Sequence, residues 1–237
     1  MKILSVNVSL PKTVEYKGRE VRTGIYKEPV EGRGRVMLRR LNLDGDGQGD
    51  LTVHGGVDKA AYAYSIENYE YWQRELGRAD LAYGQFGENF TVEGMTDDVI
   101  RIGDVFDVGN AKVEVSQPRA PCYKLAMKME MPEFLKLFLA SRRTGFYFRV
   151  LGEGDVGAGD EFELVERDPP PQPLSVDEVV RLTYFERGDL EASVAALRVR
   201  ALSAGWRNAI GGNLEKAGVA VDRPQIDDDC GSGKSTS

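Results

Sequence analysis

The chain of 237 residues is long enough for one large domain or for a domain with a small appendage. With 41% hydrophobic and 29% charged residues it has a globular composition, and it lacks the apolar run of a signal peptide or membrane span. We therefore expect a cytoplasmic protein with no membrane partner. The net charge of −7 argues against a nucleic acid polymer as partner, because phosphate binding depends on clustered lysine and arginine.

Residues 1–166 are predicted to form a mainly β domain with some α structure. Segments such as KILSVNVSL, NFTVEG, AKVEVSQ and FYFRVL alternate polar and apolar residues with period two, as half-buried strands do. The dipeptides Lys17-Gly18 and Gly109-Asn110 are suited to hairpin turns. Many short strands joined by tight turns predict a β-barrel or a closed sandwich.

Two peripheral helices are predicted within this region. Ser65 is placed to cap the segment SIENYEYWQRELG, in which Tyr69, Trp72 and Leu76 share one face. The second helix is MPEFLKLFLASRR, where Pro132 is expected in the first turn.

The residue pattern of the sequence changes from strand-like to helix-like after residue 166. Residues 167–175 contain four prolines within five positions and predict a stiff linker. Residues 176–220 then carry three helix patterns, preceded by the capping residues Ser175, Asp189 and Ser203, and predict a small three-helix bundle. Residues 221–237 contain little that could pack, so we expect a flexible tail.

The segment SQPRAPCYKL, residues 116–125, carries the strongest signal for chemistry. Its two prolines restrict the backbone and predict that Cys122 lies on a rigid loop between a strand and a helix. Arg119, Lys124 and the start of the helix favour the thiolate, the form that ligates metals or attacks electrophiles. The alternative is a buried cysteine that acts as a small hydrophobic residue. A metal at a lone cysteine needs further ligands from a cofactor, and a thiolate favours a soft metal.

Two other features are candidates for a functional site. The single histidine, His54, precedes two glycines, and histidine is the side chain best suited to proton transfer near neutral pH. A structural role in orienting the loop is the alternative for His54. A run of arginines without an acid predicts either a local anion site or an ordinary solvated face: Arg33, Arg35, Arg39 and Arg40.

Four ordered motifs, GDGQGDLTVHGGVDKAAYAY, QFGENFTVEG, IGDVFDVG and SQPRAPCYKL, resemble the MOSC domain. This domain is named for the C-terminal domain of molybdenum-cofactor sulfurases, and the order of the motifs is closest to the YiiM branch. The resemblance runs from the first strand to about residue 165, and the helical segment resembles the extra α-helical domain of that branch.

The resemblance implies a β-barrel domain that binds the molybdenum cofactor, a pterin dithiolene with a terminal phosphate. The family's cysteine, which matches Cys122, is expected to coordinate molybdenum. The YiiM branch is associated with reduction of N-hydroxylated compounds, including hydroxylaminopurine base analogues. The implied function is therefore a molybdenum-dependent oxidoreductase that removes the hydroxyl group from such small molecules.

The resemblance also assigns expected roles to residues. Cys122 is the predicted metal ligand and, with His54 and Arg119, forms the predicted catalytic set. The glycines after His54 let a ligand approach the backbone closely. The residues expected to bind the cofactor are Gly55, Gly56, Asp58, Lys59, Glu88, Asn89, Arg39 and Lys124. Asp58 and Lys59 are alternatively anchors of the loop.

The electrons for such a reductase are expected to come from a separate reductase or a flavodoxin-like protein. No GxGxxG motif follows a strand, so the sequence predicts no flavin or nicotinamide site. Two other functions remain open, namely a molybdenum cofactor carrier without turnover and a metal-free thiol enzyme that uses Cys122. The sequence also leaves a homodimer open.

Overall fold

A computed structural model describes residues 1–32, 34–49, 55–167 and 174–221 of the chain. These residues form a mixed structure of strands and six α-helices, with a short 3-10 helix at Val57–Lys59. The strands are β1 Lys2–Val8, β2 Lys12–Tyr16, β3 Arg19–Thr23, β4 Glu28–Pro29, β5 Val36–Leu38, β6 Ala61–Ser65, β7 Phe90–Glu93, β8 Val105–Val108, β9 Ala111–Pro118, β10 Phe146–Gly152, β11 Gly154–Val156 and β12 Phe162–Glu166. The helices are α1 Ile66–Leu76, α2 Tyr123–Lys128, α3 Phe134–Ser141, α4 Val176–Tyr184, α5 Leu190–Ala196 and α6 Ala204–Lys216.

The main element is an eight-stranded sheet with the strand order β12-β8-β9-β10-β6-β7-β1-β4. Its neighbouring strands are antiparallel except β6 and β7, which run parallel. The start of β1 also meets the chain before β12, where the Ile3 amide donates to the Asp160 carbonyl at 2.9 Å. The predicted class, mainly β with peripheral helices, is confirmed. The described residues do not show a β-barrel that is closed by a continuous ladder of paired strands.

The predicted turns are confirmed by the backbone. Lys17 and Gly18 both have positive φ, 53° and 73°, and join β2 to β3 as a two-residue turn. Gly109 has φ 55° between β8 and β9. Strand β6 was not expected, because all five of its residues are buried and the alternation that marks a half-buried strand is absent.

The predicted capping residues precede the helices, but two details of the prediction are wrong. Ser65 and Asp189 cap α1 and α5 through their side chains, and Ser175 forms a capping box with Glu178 at α4. Ser203 precedes α6, but its hydroxyl makes no capping bond. Helix α3 begins at Phe134 after Glu133, so Pro132 lies before the helix and not in its first turn.

Two hydrophobic clusters support the fold. The larger contains Phe90, Phe106 and Phe148 of the sheet and continues into α4 and α6. The smaller is rich in aromatic residues and packs around Trp72 of α1 and Phe138 of α3. Most of the predicted linker and almost all of the predicted tail, residues 168–173 and 222–237, lie outside the described residues. The division into two domains therefore stays a prediction.

Candidate functional site

The loop from β9 to α2 presents Cys122. Strand β9 ends at Pro118, and Cys122 is the residue immediately before α2. The Arg119 amide donates to the Gly145 carbonyl at 3.1 Å, and the Leu125 amide donates to the Cys122 carbonyl at 2.9 Å. The predicted strand-to-helix loop is confirmed, and Cys122 is half-buried.

Cys122 lies between two adjoining clefts. The first, which we call the loop cleft, has a volume of about 660 Å³, part of which is open solvent. Its walls come from the chain around Gly24, Gln48 and Gly87. The second, the helix cleft, is lined in part by α4 and α6 and has a volume of about 1250 Å³. The residues that belong to both clefts are Lys59, Ala120, Cys122, Lys124 and Tyr147.

The side chain of Arg119 is fixed in the wall of the loop cleft. Its Nη1 donates to the Phe86 carbonyl, and its guanidinium lies over the Tyr62 ring, 4.7 Å from the ring centroid. The Tyr62 hydroxyl in turn donates to the Thr144 carbonyl at 2.7 Å, and burial raises the pKa of Tyr62 above its usual value. Arg119 therefore supplies a positive charge of fixed position close to Cys122.

A buried ion pair occupies another wall of the loop cleft. The Lys27 ammonium contacts the Asp46 carboxylate, and their side chains are only 9% and 2% exposed. Asp46 also accepts hydrogen bonds from the Ser9 amide at 2.9 Å and from Asn89 Nδ2 at 2.9 Å. Burial lowers the pKa of Lys27, while Asp46 opposes this effect. The site residues predicted from the sequence did not include Lys27, Asp46, Tyr62 or Tyr147, although Asp46 and Tyr62 lie within one of the quoted motifs.

Among the described residues, four cationic side chains line the loop cleft against one carboxylate, Asp46: Lys27, Lys59, Arg119 and Lys124. Lys128 of α2 lies close by and donates to the carbonyls of Ile25 and Gly84 at 2.9 and 2.6 Å. Burial lowers the pKa of Lys59, and it lowers that of Lys128 to about 8. The loop cleft is thus strongly positive in a protein whose overall charge is negative, and it suits an anionic ligand.

The structure brings five of the predicted site residues into the loop cleft: Cys122, Arg119, Lys59, Asn89 and Lys124. Lys124 donates from Nζ to the Arg22 carbonyl at 3.0 Å, so it also holds the end of β3. The amide of Asn89 is engaged within the protein, since Oδ1 accepts from the Tyr62 amide at 3.1 Å. Asn89 therefore positions Asp46 and β6 as well as lining the cleft.

Glu88 does not line the loop cleft, and its side chain supports the loop before β7. Its side chain is fully buried and accepts hydrogen bonds from the Gly84 amide at 2.8 Å, the Phe86 amide at 3.1 Å and the Thr91 hydroxyl at 2.8 Å, and also from the Tyr69 hydroxyl. These donors shape the loop before β7.

The other predicted residues that the structure describes lie outside the lining of the loop cleft. Asp58 accepts from Arg149 Nε at 2.8 Å, which matches the alternative that it anchors the loop. Arg39 is paired with Asp44 at 3.0 Å on an exposed face. Gly55 and Gly56 are described but do not line either cleft. His54 and Arg33 lie outside the described residues.

The donor set fits the molybdenum cofactor. A thiol at Cys122 supplies a soft ligand, and the surrounding cations suit a terminal phosphate. Within the described ranges no group of three histidine, cysteine, aspartate or glutamate residues could hold a metal ion.

Comparison with known proteins identifies the family. Residues 50–163 match the MOSC domain. The chain is 44% identical to YflK of Bacillus subtilis over 86% of its own length and 90% of that protein, and 35% identical to YiiM of Escherichia coli over 75% and 79%. The chain belongs to the MOSC-domain family, in its YiiM branch. The crystal structure of YiiM from Geobacillus stearothermophilus superposes on this MOSC protein with a TM-score of 0.75 and 37% identity, covering 90% of this chain and 98% of that one.

A more distant MOSC relative carries an enzymatic name. A protein of Gibberella moniliformis called "Reductase" is 33% identical over 69% of this chain, but the matched part is only 29% of that protein. None of the helices in the described parts of this MOSC protein is long and apolar enough to span a membrane.

Proposed function

We propose that this protein is a molybdenum-cofactor-dependent oxidoreductase that reduces N-hydroxylated compounds to amines. One observation carries the proposal, namely the position of the Cys122 thiol in the wall of the cation-lined loop cleft, at the junction with a second cleft. A ligand and a substrate can therefore approach Cys122 from two sides. The relative named as a reductase supports the same class of reaction.

The residues of the loop cleft would hold the cofactor by charge and ligation. Cys122 would ligate molybdenum through Sγ, and the ammonium groups of Lys59 and Lys124 would balance the terminal phosphate. Arg119 would stabilise negative charge near the thiolate, because its contacts with Phe86 and Tyr62 fix its guanidinium. When bound, the cofactor supplies two-electron redox chemistry.

The net reaction consumes two electrons and two protons, cleaves the N–O bond of R–NH–OH, and yields R–NH2 and water. Lys27 is a proposed proton donor in the loop cleft, because burial lowers the pKa of its ammonium from the usual lysine value. His54 stays a proposed proton donor on sequence grounds. The electrons are proposed to come from a separate reductase or flavodoxin-like protein.

The test is the molybdenum and pterin content of the protein after expression in a host that makes the cofactor. The chain offers a matched control, because its other cysteine, Cys230, can be replaced in the same way. We expect stoichiometric molybdenum in the wild type and in Cys230→Ser, and at least a tenfold loss in Cys122→Ser. The same preparations are then assayed for reduction of N-hydroxylated substrates with an artificial electron donor.

Each alternative function predicts a different result. Equal molybdenum and pterin in Cys122→Ser and wild type would contradict the ligand assignment. Bound cofactor that transfers to an apoenzyme, with no N–O reduction, would favour a carrier. Full activity in protein without molybdenum would favour a thiol enzyme.

A further inference from the structure

The guanidinium of Arg149, on β10, bonds to three separate parts of the chain. Its Nε and Nη2 donate to Asp58 Oδ1 at 2.8 and 2.5 Å, and its Nη1 donates to Glu114, the residue directly opposite on β9. Nη2 also donates to the Ala201 carbonyl, between α5 and α6, at 3.3 Å. The side chains of Arg149, Asp58 and Glu114 are 26%, 26% and 19% exposed, so these ion pairs are partly shielded from water.

The 3-10 turn that contains Asp58 is also held through its backbone. The Ser116 hydroxyl of β9 donates to the Asp58 carbonyl at 2.6 Å. Just after the turn, the Ala60 amide donates to the Phe148 carbonyl, next to Arg149 on β10, at 3.1 Å. The turn is therefore fixed to β9 and β10 by the side chain of Arg149 and by contacts of its own main chain.

Lys59 follows Asp58 directly and lines both clefts beside Cys122. Arg149, in contrast, is not among the described residues that line either cleft. An effect of Arg149 on a bound ligand would therefore pass through the turn and its lysine. A planar guanidinium suits this task, because it can serve several acceptors at once in a fixed geometry.

We propose that Arg149 is a positioning residue, which holds the turn so that the Lys59 ammonium is presented at the junction of the loop cleft and the helix cleft. The inference rests on the proposed function, in which Lys59 balances the negative charge of the ligand. Hydrogen bonds between ionised groups are roughly twice as strong as those between neutral groups. Removal of Arg149 takes this charged partner from Asp58, so the turn and Lys59 gain freedom to move.

Hydrogen exchange locates the effect in the full-length protein without cofactor. In Arg149→Met the amides of Lys59 and Ala60 should exchange at least tenfold faster than in the wild type, because the turn has lost its side-chain anchor. The Leu125 amide of α2, on the other side of the cleft junction, should exchange as in the wild type. Arg149→Lys keeps a charge for Asp58 but not the three-way fork, so it should exchange at an intermediate rate.

Arg35→Met is the matched control. The Arg35 guanidinium also bonds two carboxylates, those of Asp155 and Asp160, and Arg35 is not among the described residues that line the clefts. We expect Lys59 and Ala60 to exchange in this variant as in the wild type. Equal acceleration in Arg35→Met and Arg149→Met would show a general loss of stability and would overturn the inference.

A double-mutant cycle tests whether Arg149 acts through Lys59. The probe is inorganic pyrophosphate, titrated calorimetrically into the full-length, metal-free protein. We expect Lys59→Met to weaken binding at least tenfold and Arg149→Met at least threefold, with the double variant no weaker than Lys59→Met alone. If Arg149→Met does not fold, the cycle is run with Arg149→Lys, whose loss should also vanish in the Lys59→Met background.

Two results of the cycle would overturn the inference. One is a pair of losses that multiply in the double variant, because Arg149 would then act independently of Lys59. The other is a wild type that does not bind pyrophosphate. Failure of the proposed function would appear elsewhere, as absence of molybdenum or of N–O reduction in the wild type after expression in a host that makes the cofactor.

Discussion

The buried carboxylate of Asp97 links α1 to the chain before β10, which in turn contacts the loop that carries Arg119. This carboxylate accepts hydrogen bonds from Asn68 Nδ2 at 2.9 Å and from the amides of Thr144 and Gly145 at 2.8 and 2.7 Å. The Gly145 carbonyl in turn accepts from the Arg119 amide. Burial raises the pKa of Asp97 from 3.8 to about 6, despite these donors.

The raised pKa of Asp97 predicts a pH dependence of stability. Between pH 4 and 6 the folded protein keeps a proton on Asp97 that the unfolded chain has lost. The contribution of this group to the free energy of unfolding is therefore fully present below pH 3.8 and falls as the pH rises to about 6. Urea unfolding of the wild type and of Asp97→Asn across this pH range measures the contribution. The stability of the wild type relative to the variant should fall by about 3 kcal/mol across this window. A difference that is independent of pH would contradict the assignment.

Single residues also show what sequence analysis could and could not find. Cys122 and Arg119 were identifiable because prolines flank them in a short cationic segment. Glu88 and Asn89 also lie in a conspicuous polar loop, but Asn89 bonds to Tyr62 and Asp46, and one of the Glu88 donors is Tyr69, all distant along the chain. Only the fold shows whether such a group binds a ligand or supports a loop.

Among the elements, two backbone segments cross closely at the loop cleft. A Cβ on Gly24 would lie 2.2 Å from the Gly47 carbonyl oxygen, a distance that no side chain tolerates. The chain after β3 and the chain before residue 50 therefore form a shared wall that depends on the absence of a side chain at this position.

We predict that Gly24→Ala destabilises the protein by about 1–3 kcal/mol, since the backbone must move apart to admit the methyl group. It should also reduce molybdenum content, because the wall of the loop cleft shifts. Thermal unfolding and metal analysis test both effects. Gly188→Ala is the control, as a Cβ there meets no atom within 4 Å. Equal stability of Gly24→Ala and the wild type would show that the crossing is looser than described.

Elements with strong local signals were predictable, and those defined by tertiary pairing were not. Helix α1 and the hairpin turns carry their own capping and turn residues. Strand β6 is buried on both faces in the middle of the sheet, so its sequence lacks the alternation that would mark it. Strand β11 has only three residues and pairs with β5, which is distant in sequence.

At the scale of the whole molecule, the C-terminal helices are joined to the sheet by both core and backbone contacts. The larger hydrophobic cluster runs from the sheet into α4 and α6. The Ser203 amide donates to the Ser116 carbonyl at 3.1 Å, and the Val176 amide donates to the Ile100 carbonyl at 3.0 Å. Because of these contacts, we expect the C-terminal helices to unfold together with the sheet.

We therefore predict one cooperative unfolding transition for the described parts of the protein. The chain has two tryptophans, Trp72 in the smaller cluster and Trp206 in the larger one, and each can serve as a local probe. In Trp72→Phe and in Trp206→Phe the remaining tryptophan's fluorescence should change at the same denaturant concentration as the far-UV circular dichroism. An earlier change at Trp206 would instead show that the helices form a separate folding unit.

The position of Cys122 in a wall common to two clefts has a consequence for protein design. The loop cleft is built from the strands and loops of the first 150 residues, whereas α4 and α6 contribute to the helix cleft alone. Substitutions on these two helices can therefore reshape the helix cleft without changing the lining of the loop cleft. The same division lets a protein designer alter one side of the thiol while leaving the other side as it is.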